Sequence, residues 1–361
     1  MSRESQEWLE NNILVGMTDR RGKAWWSKKG SDDSGEANHY PGFIPVGDVK
    51  RRLFHWHAVS LPSGMLIPAD ITDPGAFIGT DGNMVRWMTQ TDQQHIARDD
   101  TYARLGTFAG GYVGHQPDEW LIGTTSNILG DTMGITSAGL LCGGAIAWLE
   151  VGVPENITTP EGVTFRPNLL TGTSFNGTVA TFWKRTATAT VCDNTFHAAR
   201  SEVGQVYKVK HTRNSGLRID DARKALHLDS ATAESMVESM AEDFAAEVAA
   251  LCATVVTDKQ WEAFLDTTTP TAGPNLSKRA VSLAINKQHE LRTLWAKDER
   301  VSPWKNTAFG VLQAVNTFDT HIATVRNVPR VERNMLSVVK GTQQKADDET
   351  LAVLGKILAN V

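Results

Sequence analysis

The chain has 361 residues, 41% of them hydrophobic, and its 36 Lys and Arg against 41 Asp and Glu give a formal charge of −5. A chain of this size can bury one large core or two moderate ones without a metal or a disulfide. Cys142, Cys192 and Cys252 lie dozens of residues apart with no CxxC pair, which argues against a zinc ribbon and a secreted disulfide framework and for a reducing compartment.

The start, MSRESQEWLENNILVG, is polar and amphipathic, and no apolar run reaches membrane-spanning length, so the expected location is the cytoplasm. Residues 2–14 read as a short helix offering Trp8, Leu9, Ile13 and Leu14 for docking, and 27–49 read as a polar loop. In RRLFHWHAVSL, Leu53, His55 and His57 alternate with Phe54, Trp56 and Ala58, which predicts a strand. From there to about Cys192 the segments NMVRWMTQT, RLGTFAGGYVG, EWLIGTTS, GGAIAWLEVGV, VTFRPNLLTG, GTVATFWKRT and TATATVCDN are rich in Thr, Val, Trp and Phe and punctuated by Gly, which predicts a mostly antiparallel sheet.

After Arg218 the period changes. Met236, Met240, Phe244, Val248 and Leu251 recur every three or four residues, with Asp229 or Ser230 placed to cap, and so predict a long amphipathic helix that is strongly acidic. DTTTPTAGPNLS separates a helix ending near Leu265 from another over about 276–297, and further helices are predicted after Pro303 and over about 347–359. The predicted fold is α+β, a mostly antiparallel sheet core followed by a helical C-terminal half. Its parts are an N-terminal helix and loop (1–49), a β-rich core with a basic segment (50–225) and a helical region packed on that core (226–361).

The basic segment has the opposite sign from the rest of the chain. Between residues 169 and 224, nine Lys or Arg stand against four acids, a local charge of +5. Such a patch in an acidic protein points to a polyanionic partner. In the strand-like run YKVKHTRN, Lys208 and Lys210 alternate onto one face, with Tyr207 and His211 on the other. Trp183, Lys184 and Arg185 sit between two strand-like runs, where a hairpin tip would present two cations and one stacking ring. That pairing holds single-stranded nucleic acid without reading its sequence. Arg200, Arg213 and Arg218 complete the candidate set. The alternative for each residue is a solvated charged hairpin.

Two blocks, TGTSFNGTVATFWKRTATATVCDNTFHAA with KHTRN and, later, NTAFGVLQAVNTFDTHIATVRNVPRVERN, resemble the phage- and plasmid-borne family termed domain of unknown function 932. The positions carrying the resemblance include Gly172, Ser174, Gly177, Cys192, Asn194, Thr195, His211, Asn214, Thr307, Gly310, Asn316, Asp319, His321 and Arg326. The resemblance implies a mobile-element context in a bacterial host cell and supplies no reaction. Within it, Cys192 follows an alternating apolar run and is expected to be a buried structural thiol; Asn194 and Thr195 are expected to be structural too. Phe309, Leu312, Val315 and Phe318 fall at helical spacing, leaving Asn316, Asp319 and His321 together near the helix end as a buried polar tie rather than a catalytic dyad.

Catalytic motifs are absent: the sequence holds no GxxxxGK[ST], HExxH, GxSxG or strand-linked GxGxxG. His55 and His57 offer either two metal ligands on one strand face or a solvent-facing pair, and Asp92, Asp99 and Asp100 offer a site for a metal-dependent nuclease. The expected function is a DNA-metabolism accessory that binds single-stranded DNA, as a homo-oligomeric annealing or recombination protein with no catalytic centre, no cofactor and no membrane partner. The alternatives are the nuclease and a structural or host-interaction oligomer anchored by Trp25, Trp26, Trp295 and Trp304.

Overall fold

Alternating strands and a changed period after residue 230 build the architecture seen in the computed structural model, which describes residues 8–9, 11–17, 36, 38–112, 114–128, 133–189, 194–196, 206–209, 233–274 and 276–360. In chain order the first elements are β1 (Ile13–Val15), α1 (Val46–Leu53), β2 (Ala58–Pro68), β3 (Phe77–Ile78), β4 (Met84–Arg98), β5 (Arg104–Ala109) and α2 (Pro117–Ile128). Next come β6 (Gly134–Leu141), β7 (Ile146–Gly152), β8 (Ile157–Thr158), β9 (Thr164–Ser174), β10 (Thr181–Ala189), β11 (Asn194–Phe196) and β12 (Val206–Val209). The helices α3 (Ala233–Ala253), α4 (Asp258–Thr268), α5 (Lys278–Lys297), α6 (Ala308–Thr317), α7 (Arg330–Lys340) and α8 (Thr342–Ala359) complete the chain. The fold is α+β, as the patterning predicts.

The larger sheet is antiparallel, in the order β1-β6-β7-β9-β10-β11, with β8 paired to β9 and β12 to β10. Side chains alternate across it. Leu14, Ala138, Ala147 and Leu149 point to one face and meet Val49 and Leu53 of α1 and Trp120 and Leu121 of α2. Ile13, Leu141, Ile146, Trp148, Leu170 and Phe182 point to the other and meet Val338 and Val339 of α7. Glu332 anchors that helix to the sheet, its Oε1 accepting the backbone N–H of Cys142 at 2.7 Å. A third cluster joins Phe165 to the C-terminal helices through Phe244, Trp261, Trp295, Phe309 and Leu354.

Local chemistry explains several boundaries. The Thr257 hydroxyl accepts the Gln260 N–H while the Gln260 side chain accepts the Thr257 N–H, a capping box that starts α4 afresh after the acidic helix has ended at Ala253. EWLIGTTS, predicted as a strand, is helical in α2: Pro117 presets the first-turn φ, Asp118 and Glu119 complement the helix dipole, and Trp120, Leu121 and Thr124 share the buried side. The N-terminal prediction also changes, because Ile13–Val15 extend to pair with β6. In RRLFHWHAVSL the helix α1 runs through Leu53, and β2 begins only at Ala58.

A second sheet, β2-β4-β3 with β5 on β4, forms a long ribbon. Its outer half exposes Met65, Leu66, Phe77, Ile78, Trp87 and Met88. The Trp87 ring lies over Gly64, where a Cβ would come within 2.4 Å of the indole. Pro62 and Pro68 sit on β2, which among the described residues forms one edge of this sheet.

Candidate functional site

The site begins with β10. It is paired on one side with β9 (Trp183 opposite Thr171) and on the other with β12 (Phe182 opposite Lys208, Trp183 opposite Tyr207, Lys184 opposite Val206). Trp183 therefore lies inside a three-strand stretch. It is 1% exposed, with its ring 6.0 Å from that of Tyr207, which corrects the expectation of a stacking ring at a hairpin tip. The tip is at Asn176–Gly177, where Gly177 takes φ +70° and the Asn176 side chain accepts the Thr178 N–H. An Asn-Gly pair meets the demands of a tight turn better than a Trp-Lys-Arg run does.

Alternation puts Phe182, Lys184 and the opposite residue Lys208 on one face, and Trp183, Arg185 and Tyr207 on the other. On the first face a cavity of about 450 Å³ opens between β10, β12 and the α7–α8 turn. Buried Phe182, Val338 and Val339 form its floor, together with Lys184, only 4% exposed. Lys208, Lys340 and Thr178 stand exposed at the rim. Gly341, at φ +74°, makes the left-handed turn between the helices, and α8 starts there without a side-chain cap. Among the described residues, the lining holds three lysines and no carboxylate.

Electrostatics behind the floor are finely balanced. Lys184 Nζ donates to Gln344 Oε1 at 2.8 Å, and burial pulls its ammonium down to about 8, against the pull of Asp347. Asp347, 8% exposed, is pushed up to about 7 by burial, with Asp348 and Glu247 adding to the rise. Asn316 lies beside this carboxylate and lowers it somewhat, although its Nδ2 and Asp347 Oδ1 stop short of full hydrogen-bond geometry. For both ions desolvation outweighs mutual attraction.

A family model matches residues 104–338. The chain belongs to the family described as a domain of unknown function (DUF932). No curated protein and no solved structure matches it. The DUF932 span opens at β5 and closes within α7, so it contains Lys184 and Lys208, while Lys340, Gly341 and Gln344 follow directly after it.

Other predicted site residues of this DUF932 chain are placed as follows. Arg200, Lys210, His211, Arg213, Arg218 and Cys192 lie outside the described residues, as do Trp25 and Trp26. Asn194 and Thr195 are in β11, opposite Ala189 and Thr188. Arg185 faces away from the cavity by alternation and lies 3.8 Å from Asp243 of the acidic helix α3. The expected Asn316–Asp319–His321 grouping is spread out by a π-helical turn, Phe318–Ile322, which breaks the 3.6 period. Asn316 neighbours Asp347; burial raises Asp319, opposed by Lys287 and Arg333; and His321 bears on Asp298.

The enzymatic candidates are engaged in local pairs. His55 lies 3.4 Å from Asp100 and His57 3.1 Å from Asp99, while Arg98 grips Asp100 through two nitrogens at 2.8 and 2.6 Å and holds its carboxyl down at about 2. Among the described residues, no three His, Cys, Asp or Glu are disposed to hold a metal. Trp295 and Trp304, expected as exposed anchors, are buried in the helical core. No helix among the described residues is long and apolar enough to cross a membrane.

Lys340, Gln344 and Asp347 did not figure among the sequence candidates. The signal that reveals them is Gly341 directly after Lys340, a helix C-cap that would have marked both α7 and the start of α8.

Proposed function

We propose that this protein binds single-stranded nucleic acid through its backbone, as a homo-oligomeric accessory of mobile-element DNA metabolism that needs no catalytic group. The observation that carries this reading is the convergence of Lys184, Lys208 and Lys340, from β10, β12 and α7, on one cavity lined by no carboxylate among the described residues. Cations spaced along a groove neutralise phosphates and release counterions, which gives affinity without sequence preference. The −5 charge of the whole chain confines this attraction to the groove. Tyr207 belongs to the opposite face and Trp183 is buried, so the grip described here is ionic rather than stacked. Burial of Trp295 and Trp304 removes two anchors of the interaction-protein alternative.

The test is a salt titration with labelled single-stranded and duplex oligonucleotides. Each phosphate contact on a single strand contributes about 0.7 to the slope of log affinity against log salt. The double variant Lys208→Gln/Lys340→Gln, altered only at exposed rim positions, is expected to bind single strands about tenfold more weakly at low salt and to lose about 1.4 from that slope. Equal affinity and slope for wild type and variant would end this reading.

A further inference from the structure

The three lysines are not equivalent. Lys208 and Lys340 stand in solvent at the rim, whereas Lys184 is 4% exposed on a floor walled by Phe182, Val338 and Val339. A strand passing over the rim reaches the first two. To reach the third, a phosphate must descend into a cavity of about 450 Å³, the scale of a small-ligand pocket. An internal diester would have to carry a nucleotide on each side down and back through the same mouth. A terminal phosphate brings only one.

Charge points the same way. Lys184 has three donors, of which Gln344 takes one at 2.8 Å, and its charge is costly where it sits because burial opposes it. A phosphate monoester carries about −1.5 to −2 and three acceptor oxygens at neutral pH. It therefore offsets a desolvated ammonium better than a singly charged diester does.

We infer that the cavity seats the terminal phosphate monoester of a nucleic-acid strand, with Lys184 on the phosphate at the floor and Lys208 and Lys340 closing on it from the rim. This rests on the nucleic-acid reading above, and it adds that the preferred ligand is a strand end rather than the middle of a strand. A free nucleoside monophosphate has the same head group, so the test must separate the two.

Fluorescence anisotropy on the full chain would compare labelled strands bearing a 5′-phosphate, a 3′-phosphate or only hydroxyl ends, with unlabelled circular single-stranded DNA and a nucleoside monophosphate as competitors. One phosphorylated end is expected to bind at least tenfold more tightly than the hydroxyl-ended strand, with the circle and the mononucleotide both poor competitors. Lys184→Gln should erase that preference, leaving phosphorylated and hydroxyl-ended strands bound with equal affinity. Because that position is buried, Lys340→Gln, exposed and safe for folding, provides the parallel check and should cut the preference several-fold. Equal affinity for phosphorylated, hydroxyl-ended and circular strands would overturn the inference while leaving backbone binding intact. Competition by the mononucleotide as strong as that of the phosphorylated strand would overturn it in favour of a nucleotide pocket. Failure to bind any strand would overturn both readings together.

Discussion

Trp261→Ala is expected to lower the free energy of unfolding by about 3–5 kcal/mol, the range for removing a large aromatic from a packed core. Trp261 is 2% exposed and stacks on Trp295 with ring centroids 4.4 Å apart and planes 9° from parallel; Phe264 also stacks with it at 5.8 Å. These rings join α4 to α5, and the Trp295 ring comes within 3.2 Å of the Cβ position of Gly310 in α6. Deleting the indole leaves a void that three helices must close around. Trp261→Phe should cost much less, because the indole N–H is buried without an acceptor among the described residues and leaves with the substitution. Urea unfolding of both variants and of Trp295→Ala gives the coupling between the rings, expected at about 1 kcal/mol. A loss below about 1 kcal/mol for Trp261→Ala would mean that the helical layer does not close on this pair.

Asp347→Asn should act in the opposite direction and stabilise the protein above neutral pH. The Asp347 carboxyl is pushed up by burial to about 7 from an ordinary value near 3.8, so the folded chain holds a proton that the unfolded chain gives up. Stability from this group is fully present below pH ~4 and drains away as pH rises through about 7. At about 1.4 kcal/mol per pH unit the loss is at most about 4 kcal/mol, and relaxation around the site brings the expected gain of the variant at pH 8 to about 2–3 kcal/mol. Lys184, pulled down to about 8, works in a different window. The folded chain sheds that proton before the unfolded one does, so stability recovers as pH rises from about 8 toward 10.5. Wild type is thus expected to be least stable between about pH 7 and 8. In thermal melts across pH, Asp347→Asn should remove the decline between pH 4 and 7. A variant whose pH profile overlays that of wild type would show that this carboxylate is solvated.

Much of the architecture is legible in the residues because single faces are strongly marked. The 3.6-residue spacing of Phe244, Val248 and Leu251 defines α3, and the Thr-rich alternation on either side of Asn176–Gly177 defines β9 and β10. The pattern puts Ile13 and Leu14 in a helix and the structure puts them in a strand, since a short apolar run fits either until β6 supplies the partner. The site is only half legible. Lys184 and Lys208 are marked by charge, but which cation is sunk and which is free depends on helices far along the chain: Gln344, which holds Lys184, is 160 residues away. Trp183 shows the same limit. An aromatic beside two cations suggests a base-stacking platform, yet here its neighbours on both sides are strands, and burial of the ring is worth more than exposure.

The prolines of the long ribbon have an effect on solution behaviour. A strand such as β2, eleven residues long, carrying exposed Met65 and Leu66 beside exposed Trp87 of β4, is the sort of edge on which further chains polymerise. Pro62 and Pro68 cannot donate to a neighbour, so any incoming strand would lose hydrogen bonds at two places along that border. The chain can therefore hold a sticky surface at high concentration with growth into fibrils discouraged by its own backbone.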